Sequence, residues 1–571
     1  MSDKQRLRVV LCWHMHQPQY RDPITGTYQL PWTYLHAIKD YVDMVALLEA
    51  QPLARVVVNF APTLLEQIDD YATRMRDHLS DGRPLGDPLL AGLGSNGLTA
   101  DPAQRLLLMR ACLRSNENRF INRYPPYREL ADIAKWTMER GGSAAYLSDQ
   151  YLHDLLMWYH LAWMGETIRR TDPRIKKLID KARFYGREDR FELLRVMSEL
   201  LDQVIPRYRA LAEAGQIEIA FSPYAHPIVP LLLDFESARE AMPDVVLPQS
   251  AMYPGGEARA HWHMVEGLRV FEQHFGFRPK GCWPSEGGVS EAAIRLIEEH
   301  GIEWVASGEN VLRNSVSASP VLRDALGSGS VHHPFKIKGS DVNCFFRDDG
   351  LSDLIGFAYS TWHADDAVNN LVHHLENIAS AIPDRTNSVV SIIMDGENAW
   401  EHYPENGFYF LSALYAKLGN HPKLKLTTFA DALAEGCVAL PLDKLVAGSW
   451  VYGTFSTWIG DKDKNRGWDM LCAAKVVFDR VVKERRLTGE ALERVARQLA
   501  VCEGSDWFWW FGDYNPSDSV SDFDHLFRRH LATLYDMLGQ PLPADLDRVI
   551  SRGGGAPAGG GVMRTGKAPG T

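Results

Sequence analysis

The sequence of 571 residues lacks several features that mark whole classes of proteins. It contains no apolar run near the roughly 20 residues needed to cross a bilayer, and its amino terminus has no long apolar stretch typical of a secretory signal. The net charge of −12 excludes the basic excess that nucleic acids and anionic membranes attract. We therefore expect a cytoplasmic protein that binds neither nucleic acid nor membrane.

The cysteines lack the spacing of a disulfide framework or a zinc knuckle. Their number is odd, they are widely scattered, and no two form a CxxC pair, a pattern that predicts reduced thiols. The seven are Cys12, Cys112, Cys282, Cys344, Cys437, Cys472 and Cys502.

Short apolar runs rich in β-branched residues recur along the first part of the chain. Each run is followed by a polar or Gly/Pro-containing elbow and then by a helical pattern. Strands that alternate with helices predict a parallel α/β sheet, and this many units favours a barrel. One of the helices should begin after Ser290, a good N-cap, and end at Gly301. The runs lie at residues 8–12, 55–60, 217–221, 279–283, 302–306 and 388–394.

The composition divides the chain into three parts. Residues 1–430 are predicted to form the barrel, with a helical insertion at about 100–210. Residues 431–545 are predicted to form a helical domain that packs on the barrel and completes the active site. Residues 546–571 are rich in Gly, Ala and Pro, which predicts a disordered tail.

Five chemically capable side chains fall just past predicted strands. Because the carboxyl ends of barrel strands converge on one face, where active sites are built, we expect these five side chains to lie together. They are His14, His16, His226, Glu286 and Asp395.

Two carboxyl groups in this set stand out. Glu286 follows Trp283, whose indole offers a stacking face for a sugar ring, although a Glu near a helix N-terminus is also favourable without any function. Asp395 follows an apolar strand, and burial would raise the pKa of such a carboxyl group and suit it to acid/base work. Glu397 and Glu401 remain open as competitors of Asp395.

The His14-Met15-His16 segment points two imidazoles to one side of an extended chain. This spacing suits either substrate hydroxyls or a metal ion, and the residues themselves leave the choice open. Further histidines, which are as compatible with structural roles, are His226, His332, His333 and His363.

Polar and aromatic loops supply a second set of candidates. Arg347 and Asp348 could pair and brace the site, and Asp461 could bond substrate hydroxyls. A cluster of tryptophans either anchors the helical domain or forms an acceptor-side stacking platform for sugars. The cluster contains Trp507, Trp509 and Trp510.

Five segments together resemble glycoside hydrolase family 57, most closely its α-amylase and amylopullulanase members. The resemblance implies a (β/α)7 barrel followed by a helical bundle, and hydrolysis of α-glucans with retention of configuration. One departure is Gln19, where a second proline is usual. The segments are HMHQPQY (14–20), IEIAFSPYAHPIVPLL (217–232), GCWPSE (281–286), MDGENAWE (394–401) and TWIGDKDKNRGWDML (457–471).

The resemblance also implies roles for single residues. Glu286 is then the nucleophile and Asp395 the general acid/base, with an α-glucan or maltooligosaccharide as the bound partner and no cofactor. The oligomeric state stays open. The residues expected to bind substrate are His14, His16, Gln17, His226, Trp283, Arg347, Asp348, Trp400, Trp458, Asp461, Trp507 and Trp509.

Several rival functions remain at this point. The same two carboxyl groups would serve a 4-α-glucanotransferase or a branching enzyme, because water exclusion and acceptor binding decide between hydrolysis and transfer. A metal-dependent enzyme of the α-mannosidase or deacetylase kind would use the histidine pair as zinc ligands. A glycan-binding protein without catalysis is a further alternative.

Overall fold

The computed structural model describes residues 6–140, 143–319, 330–383, 385–555 and 562–566. Its strands form one ten-stranded sheet. In chain order they are β1 Leu7–Met15, β2 Val56–Phe60, β3 Ile217–Phe221, β4 Gly281–Cys282, β5 Trp304–Ser307, β6 Phe335–Ile337, β7 Asn343–Phe346, β8 Val389–Asp395, β9 Leu424–Leu426 and β10 Leu440–Leu442.

Seven parallel strands of this sheet curl into a barrel. Their order is β8-β1-β2-β3-β4-β5-β7, and a parallel bridge between Arg347 and Ser391 joins the two ends. At this seam the backbone N–H of Asp348 donates to the carbonyl of Ser391 at 2.8 Å. The predicted α/β fold with a seven-stranded (β/α) barrel is confirmed.

The barrel interior is filled by side chains from alternate positions of the strands. Every residue of β1 and β2 is buried, because helices cover the outside of the barrel and side chains fill its inside. This double burial explains why the sequence shows continuous apolar runs. The interior set includes Val10, Cys12, Val57, Ala220, Trp283, Trp304, Ala306, Phe345, Val389 and Ile393.

Helices follow most of the strands, and many of them lie between β2 and β3. Those between β2 and β3 are Pro62–Asp81, Pro88–Gly94, Pro102–Ala111, Pro125–Glu139, Asp149–Trp163, Glu166–Thr171, Pro173–Lys181 and Arg187–Glu213. The helices before β2 are Trp32–His36 and Val42–Glu49. Those between β3 and β9 include Val229–Leu233, Gly256–Phe275, Glu291–Glu299, Glu309–Ala318, Asp349–Asp353, Ala364–Ala381 and Phe408–Gly419. After β9 come Phe429–Ala434, Lys462–Lys483, Gly489–Cys502, Asp506–Trp510 and Ser517–Met537.

The helix after β4 has the ends that its sequence predicts. The hydroxyl of Ser290 accepts a hydrogen bond from the backbone N–H of Ala293 at 3.2 Å, which satisfies one of the free donors of the first turn. Gly301 has a φ of +79°, which a glycine adopts without a steric penalty. The chain can therefore turn here and enter β5.

A buried ion-pair network joins the last helices to the barrel. Glu503 accepts hydrogen bonds from Arg259 at 2.8 Å and from the Tyr253 hydroxyl at 2.5 Å, and it lies 2.7 Å from Nε2 of His263. Burial favours the neutral carboxyl group, but Arg259 and His263 outweigh it and lower the pKa of Glu503 to about 2. Breaking such a buried pair costs about 3–5 kcal/mol, so this contact holds the chain around residue 505 firmly against the barrel.

The carboxyl-terminal tail is packed where it is described, which differs from the disorder predicted for it. Ser551 is buried and its hydroxyl accepts from the N–H of Gly512 at 2.9 Å. The N–H groups of Gly554 and Gly555 donate to the carbonyl of Asn515. Residues 556–561 and 567–571 lie outside the described residues. The division of the chain into domains stays a prediction.

All seven cysteines lie among the described residues, where they are buried and form no disulfide with one another. Among the helices of the described residues, none combines the length and the apolar character that a membrane span requires.

Candidate active site

A cleft of about 620 Å³ lies at the carboxyl ends of the barrel strands. This volume is in the range of ligand pockets. Side chains that follow β1, β4 and β8 meet there with side chains of the last helices. The lining residues are His14, His16, Gln17, Pro18, Tyr20, Trp32, His36, Trp163, Glu286, Gly356, Phe357, Ser360, Asp395, Glu397, Asn398, Glu401, His402, Trp450, Asp506, Trp509, Trp510, Phe523, Val562 and Met563.

Glu286 is held in a strained backbone conformation. Its φ of 58° and ψ of 25° lie in the left-handed region, which costs a non-glycine residue about 1–3 kcal/mol. The N–H of Trp450 donates to its carbonyl at 3.1 Å. The side-chain carboxyl accepts from Nε1 of Trp450 at 3.1 Å and from the hydroxyl of Ser505 at 3.3 Å. Strain of this kind persists where the surroundings over-determine a residue, and it is concentrated at functional sites.

Asp395 is the last residue of β8 and pairs in register with His14 of β1. The side-chain amide of Asn398 donates to its carboxyl group at 2.9 Å. Burial raises the pKa of Asp395 to about 6, and the Asn398 hydrogen bond and the positive charges nearby oppose that rise. This strand end therefore presents a carboxyl group that can hold a proton near neutral pH.

The carboxyl groups of Glu286 and Asp395 influence each other. Burial raises the pKa of Glu286 to about 8, with further upward contributions from the charges of Asp506 and Asp395. Two such groups release their protons as a pair and not as independent residues. Between about pH 6 and 8 the pair carries one proton and one negative charge, and the higher pKa of Glu286 places that proton on Glu286 in the empty cleft.

Three imidazole rings stack beside the carboxyl pair. The ring centroids of His16 and His226 are 3.9 Å apart, and those of His14 and His226 are 5.1 Å apart. Nδ1 of His14 lies 2.5 Å from the amide oxygen of Asn59, and Nδ1 of His226 lies 3.0 Å from the hydroxyl of Ser505. Ser505 therefore connects His226 to Glu286.

The three histidines differ in charge. Burial lowers the pKa of His14 to about 3 and lowers the pKa of His226, and in both cases neighbouring imidazoles add to the effect. Burial also disfavours the charged form of His16, but the carboxylate of Asp506, 2.8 Å from Nε2, raises the pKa of His16 above its usual value. Of the three rings, His16 is therefore the one that takes up a proton most readily.

The ligand atoms of His16, His226 and Asp506 all lie within 4.8 Å of one another, a spacing that would fit one metal ion. Asp506 forms an ion pair with Nε2 of His16 and Ser505 bonds Nδ1 of His226, whereas Nε2 of His226 is buried without a hydrogen-bond partner among the described residues. The metal alternative is therefore tested with a chelator below.

Of the predicted substrate-binding residues, His14, His16, Gln17 and Trp509 line the cleft. Gln17 donates from its side-chain amide to Glu397 at 3.2 Å, and the backbone N–H of His16 donates to the same carboxyl at 3.3 Å. Glu397 and Glu401, the competitors of Asp395, line the cleft as well. Of these three groups, Asp395 is the one whose charge contributes to the raised pKa of Glu286.

Four predicted tryptophans lie behind the cleft and not in its wall. Trp283, Trp400, Trp458 and Trp507 have at most 1% of their surface exposed, so none offers a free ring face to a sugar. Nε1 of Trp400 donates to the carbonyl of Gly396 at 2.9 Å, a contact that supports the loop after β8. His226 also lies just behind the lining, with no exposed surface.

The charged residues of two predicted loops bond to other groups of the protein. The expected pair of Arg347 with Asp348 is not formed, because Arg347 makes its ion pairs with Asp349 and Asp353, both at 2.6 Å. Asp348 instead caps the helix Asp349–Asp353 by accepting from the N–H of Leu351, and it pairs with His332 at 2.9 Å. These contacts lie below the cleft wall at the barrel seam.

Asp461 likewise caps a helix. Its carboxyl group accepts from the backbone N–H of Asp463 at 2.8 Å and begins the helix Lys462–Lys483. An Asp at this position satisfies a free donor of the first turn. Asp461 does not line the cleft.

Sequence reasoning missed several residues that do line the cleft. Asp506 lies in the aromatic segment that the sequence analysis singled out, next to the predicted tryptophans. Trp450 comes from the loop after β10, and Trp32 begins a helix before β2. Trp163 ends a helix of the region between β2 and β3. No local pattern connects these indoles with the strand ends, because long-range packing brings them together.

Replacing Asp506 with asparagine should move the alkaline limit of activity to lower pH. Asp506 is the largest charge contribution that raises the pKa of Glu286, so its removal lowers the pH at which the pair loses its last proton. His16 loses positive charge at the same time, but its opposing effect on Glu286 is smaller. A single nearby charge shifts a pKa by roughly one unit. The measurement is kcat/KM against pH, with the exposed Asp518→Asn as control, and an unchanged alkaline limit would contradict the assignment.

Comparison with known proteins finds relatives of this fold. The 1,4-alpha-glucan branching enzyme of Thermococcus kodakarensis is 23% identical over 279 residues, which cover 45% of this chain and 37% of that protein. Its crystal structure, a complex with glucose, has a TM-score of 0.58 at 15% identity and covers 93% of this chain and 90% of its own. The alpha-amylase AmyC of Thermotoga maritima has a TM-score of 0.54 at 15% identity and covers 95% of this chain and 96% of its own. At such identities the structural likeness shows the fold.

The family itself is shown by a sequence profile. The profile of glycosyl hydrolase family 57 matches residues 10–437, well over half of the chain. This range contains both carboxyl groups of the pair and the three stacked histidines. The resemblance drawn from the five segments is confirmed: the chain belongs to glycosyl hydrolase family 57, whose members are enzymes that hydrolyse or transfer glycosidic bonds of α-glucans.

Proposed function

We propose that the protein is a retaining enzyme that cleaves α-glucosidic bonds of a glycogen- or maltodextrin-like glucan by double displacement. The observation that carries this proposal is the pair of buried carboxyl groups, Glu286 and Asp395, in an aromatic-lined cleft at the strand ends. The relatives named as branching enzymes and an alpha-amylase support the same class of substrate.

In the first step the proton of the pair, which Glu286 holds in the empty cleft, moves to Asp395, and the Glu286 carboxylate attacks the anomeric carbon. Its carboxylate is fixed by the indole N–H of Trp450 and the hydroxyl of Ser505, so little motion is needed to align it. The proton of Asp395 passes to the leaving glycosidic oxygen as the bond breaks. The products are a covalent glycosyl-enzyme on Glu286 and a free sugar hydroxyl.

In the second step Asp395 acts as a base. It takes the proton of an acceptor hydroxyl, the acceptor oxygen attacks the anomeric carbon, and the carboxylate of Glu286 leaves. Two inversions restore the original configuration. The raised pKa of Asp395 suits both its acid and its base role near neutral pH.

The remaining residues of the cleft bind the sugar. We assign His14 and His16 to hydroxyl contacts, and the imidazolium of His16 is a strong donor because Asp506 keeps it charged. The partly exposed indoles of Trp32 and Trp450 offer ring faces to glucose units. His226 acts indirectly, since it bonds Ser505 and is fully buried.

The nature of the acceptor decides between hydrolysis and transfer. Water gives an α-glucan hydrolase, whereas a sugar hydroxyl gives a 4-α-glucanotransferase or a branching enzyme on the same two carboxyl groups. The similarity to a branching enzyme supports transfer to a sugar hydroxyl as the second candidate function. Both candidates use the same mechanism and differ in the product.

Incubation of the protein with maltoheptaose, with and without EDTA, tests the proposal. A rising number of reducing ends indicates hydrolysis, and longer and shorter products at a constant number of reducing ends indicate transfer. New α-1,6 bonds, detected by debranching of an amylose product, indicate branching. Loss of activity with EDTA and its return with Zn²⁺ would contradict the two-carboxylate mechanism, as would no action on any α-glucan.

A further inference from the structure

A short stretch near the carboxyl terminus lies in the wall of the catalytic cleft. Val562 and Met563 line the same cleft as Glu286 and Asp395. They adjoin Trp509, which was expected to be a stacking platform. We call residues Val562–Gly566 the C-terminal segment.

Arg564 of this segment covers two aromatic rings. Its guanidinium carbon lies 4.4 Å from the ring centroid of Trp509 and 4.8 Å from that of Tyr514. The same group donates to the hydroxyl of Thr457 at 3.2 Å and to the side-chain oxygen of Asn515 at 3.3 Å. With Arg564 over its ring, Trp509 is only 8% exposed, so a glucose ring has little access to its indole.

Gly566 anchors the other end of the segment. Its N–H donates to Asp353 at 3.1 Å, and its carbonyl accepts from the side-chain amide of Asn310 at 2.8 Å. A Cβ at this position would clash with the carboxyl group of Asp349. The backbone therefore approaches this acidic group as closely as only glycine permits.

The attachment is one that a ligand could displace. Among the described residues Arg564 has no salt bridge, and its hydrogen-bond partners are neutral oxygens. The buried ammonium group of Lys464 lies near enough for the two positive charges to disfavour each other. Val562 is 51% exposed. The segment thus rests on ring faces that a sugar also prefers, without a strong ionic tie.

We propose that Arg564 is a specificity-determining residue: the C-terminal segment occupies the Trp509 side of the cleft, and a glucan chain must displace Arg564 to reach this indole. Short chains that stop before Trp509 bind without this displacement. Longer glucan chains compete with Arg564 of the segment for the same face of the Trp509 ring. The segment thereby sets the chain-length preference of the enzyme, an inference that rests on the proposed action on α-glucans.

Kinetics on two substrate lengths test this inference. In Arg564→Ala, and in a chain that ends at Gly555, the KM for maltoheptaose should fall by about 3- to 10-fold, the scale of one cation–π contact. The inference places Trp509 beyond the three glucose units of maltotriose, so the KM for maltotriose should stay within about twofold of its original value. Arg552→Ala, which removes the same side chain from an exposed position, is the matched control and should change neither value.

A second readout does not depend on turnover. In the inactive Glu286→Gln variant, bound maltoheptaose should speed tryptic cleavage after Arg564, measured by mass spectrometry, whereas maltotriose should not. An unchanged or raised KM for maltoheptaose in both tail variants would overturn the inference. A rate of tryptic cleavage after Arg564 that stays the same when maltoheptaose is bound would also overturn it. If the original protein neither binds nor converts maltoheptaose, the proposed function fails first. If the protein acts on maltoheptaose but the ratio of its KM values for maltoheptaose and maltotriose is the same in the tail variants, only the proposed role of Arg564 is refuted.

Discussion

Glu286→Gln should lower kcat on maltoheptaose by about 10⁴- to 10⁶-fold, the scale seen when a nucleophile is removed. Glutamine keeps the size of the side chain and can still bond Trp450 and Ser505, but its amide oxygen cannot form the glycosyl-enzyme. The fold should remain intact, because the substitution adds no volume and buries no new charge. Turnover and thermal unfolding of the two proteins are the measurements.

Chemical rescue separates a lost nucleophile from a damaged site. In Glu286→Gly, azide should react with an α-maltosyl fluoride to give a β-glycosyl azide, because azide enters the face that the carboxylate leaves free. Glycine also relieves the left-handed strain at this position, since it adopts a φ of 58° without penalty. Residual activity above about one per cent in Glu286→Gln would assign the nucleophile elsewhere.

Asp395→Asn should lower kcat on maltoheptaose by about 10²- to 10⁴-fold, because an amide can neither protonate the leaving oxygen nor activate the acceptor. The loss should be much smaller in the first step for an α-maltosyl fluoride, whose leaving group needs no proton. Azide should then release the glycosyl-enzyme as an α-glycosyl azide. This product has the configuration opposite to that expected from the Glu286 variant.

Glu397→Gln is the matched control for Asp395→Asn. Glu397 is buried two residues away and bonds Gln17 and the backbone of His16, so its loss should disturb positioning without any dependence on the leaving group. If Glu397→Gln, and not Asp395→Asn, showed the leaving-group dependence and the azide product, the acid/base role would belong to Glu397. Equal losses on maltoheptaose and on the fluoride in Asp395→Asn would also contradict the assignment.

Much of the fold followed from local patterns. Runs such as residues 55–60 and 388–394 are mostly apolar and rich in Val and Ile, which fits strands that are covered on both faces, and the structure has β2 and β8 there. Ser290 and Gly301 mark helix ends by their own hydrogen bonding and backbone freedom. The positions of Glu286 and Asp395 at the strand ends followed from the same patterns.

The local sequence also carried a structural signal at two of the predicted site residues. Asp348 and Asp461 each stand directly before a helix, where an aspartate most often serves as N-cap, and the structure shows that role for both. The tryptophans were harder to assign. An indole in a motif is equally suited to a sugar and to a core, and the burial of Trp283, Trp400, Trp458 and Trp507 depends on what packs against them.

The sequence by itself determined the barrel, its strand ends and the carboxyl groups that these ends carry, because alternation of strands and helices is encoded locally. Only the tertiary structure decided which partners surround those groups. Ser505 and Asp506 lie some 220 residues from Glu286 along the chain, and Trp450 and the C-terminal segment are similarly remote. Their contacts shift the pKa of Glu286, hold Glu286 in its strained conformation and cover Trp509. These contacts form only when the C-terminal part of the chain packs on the barrel.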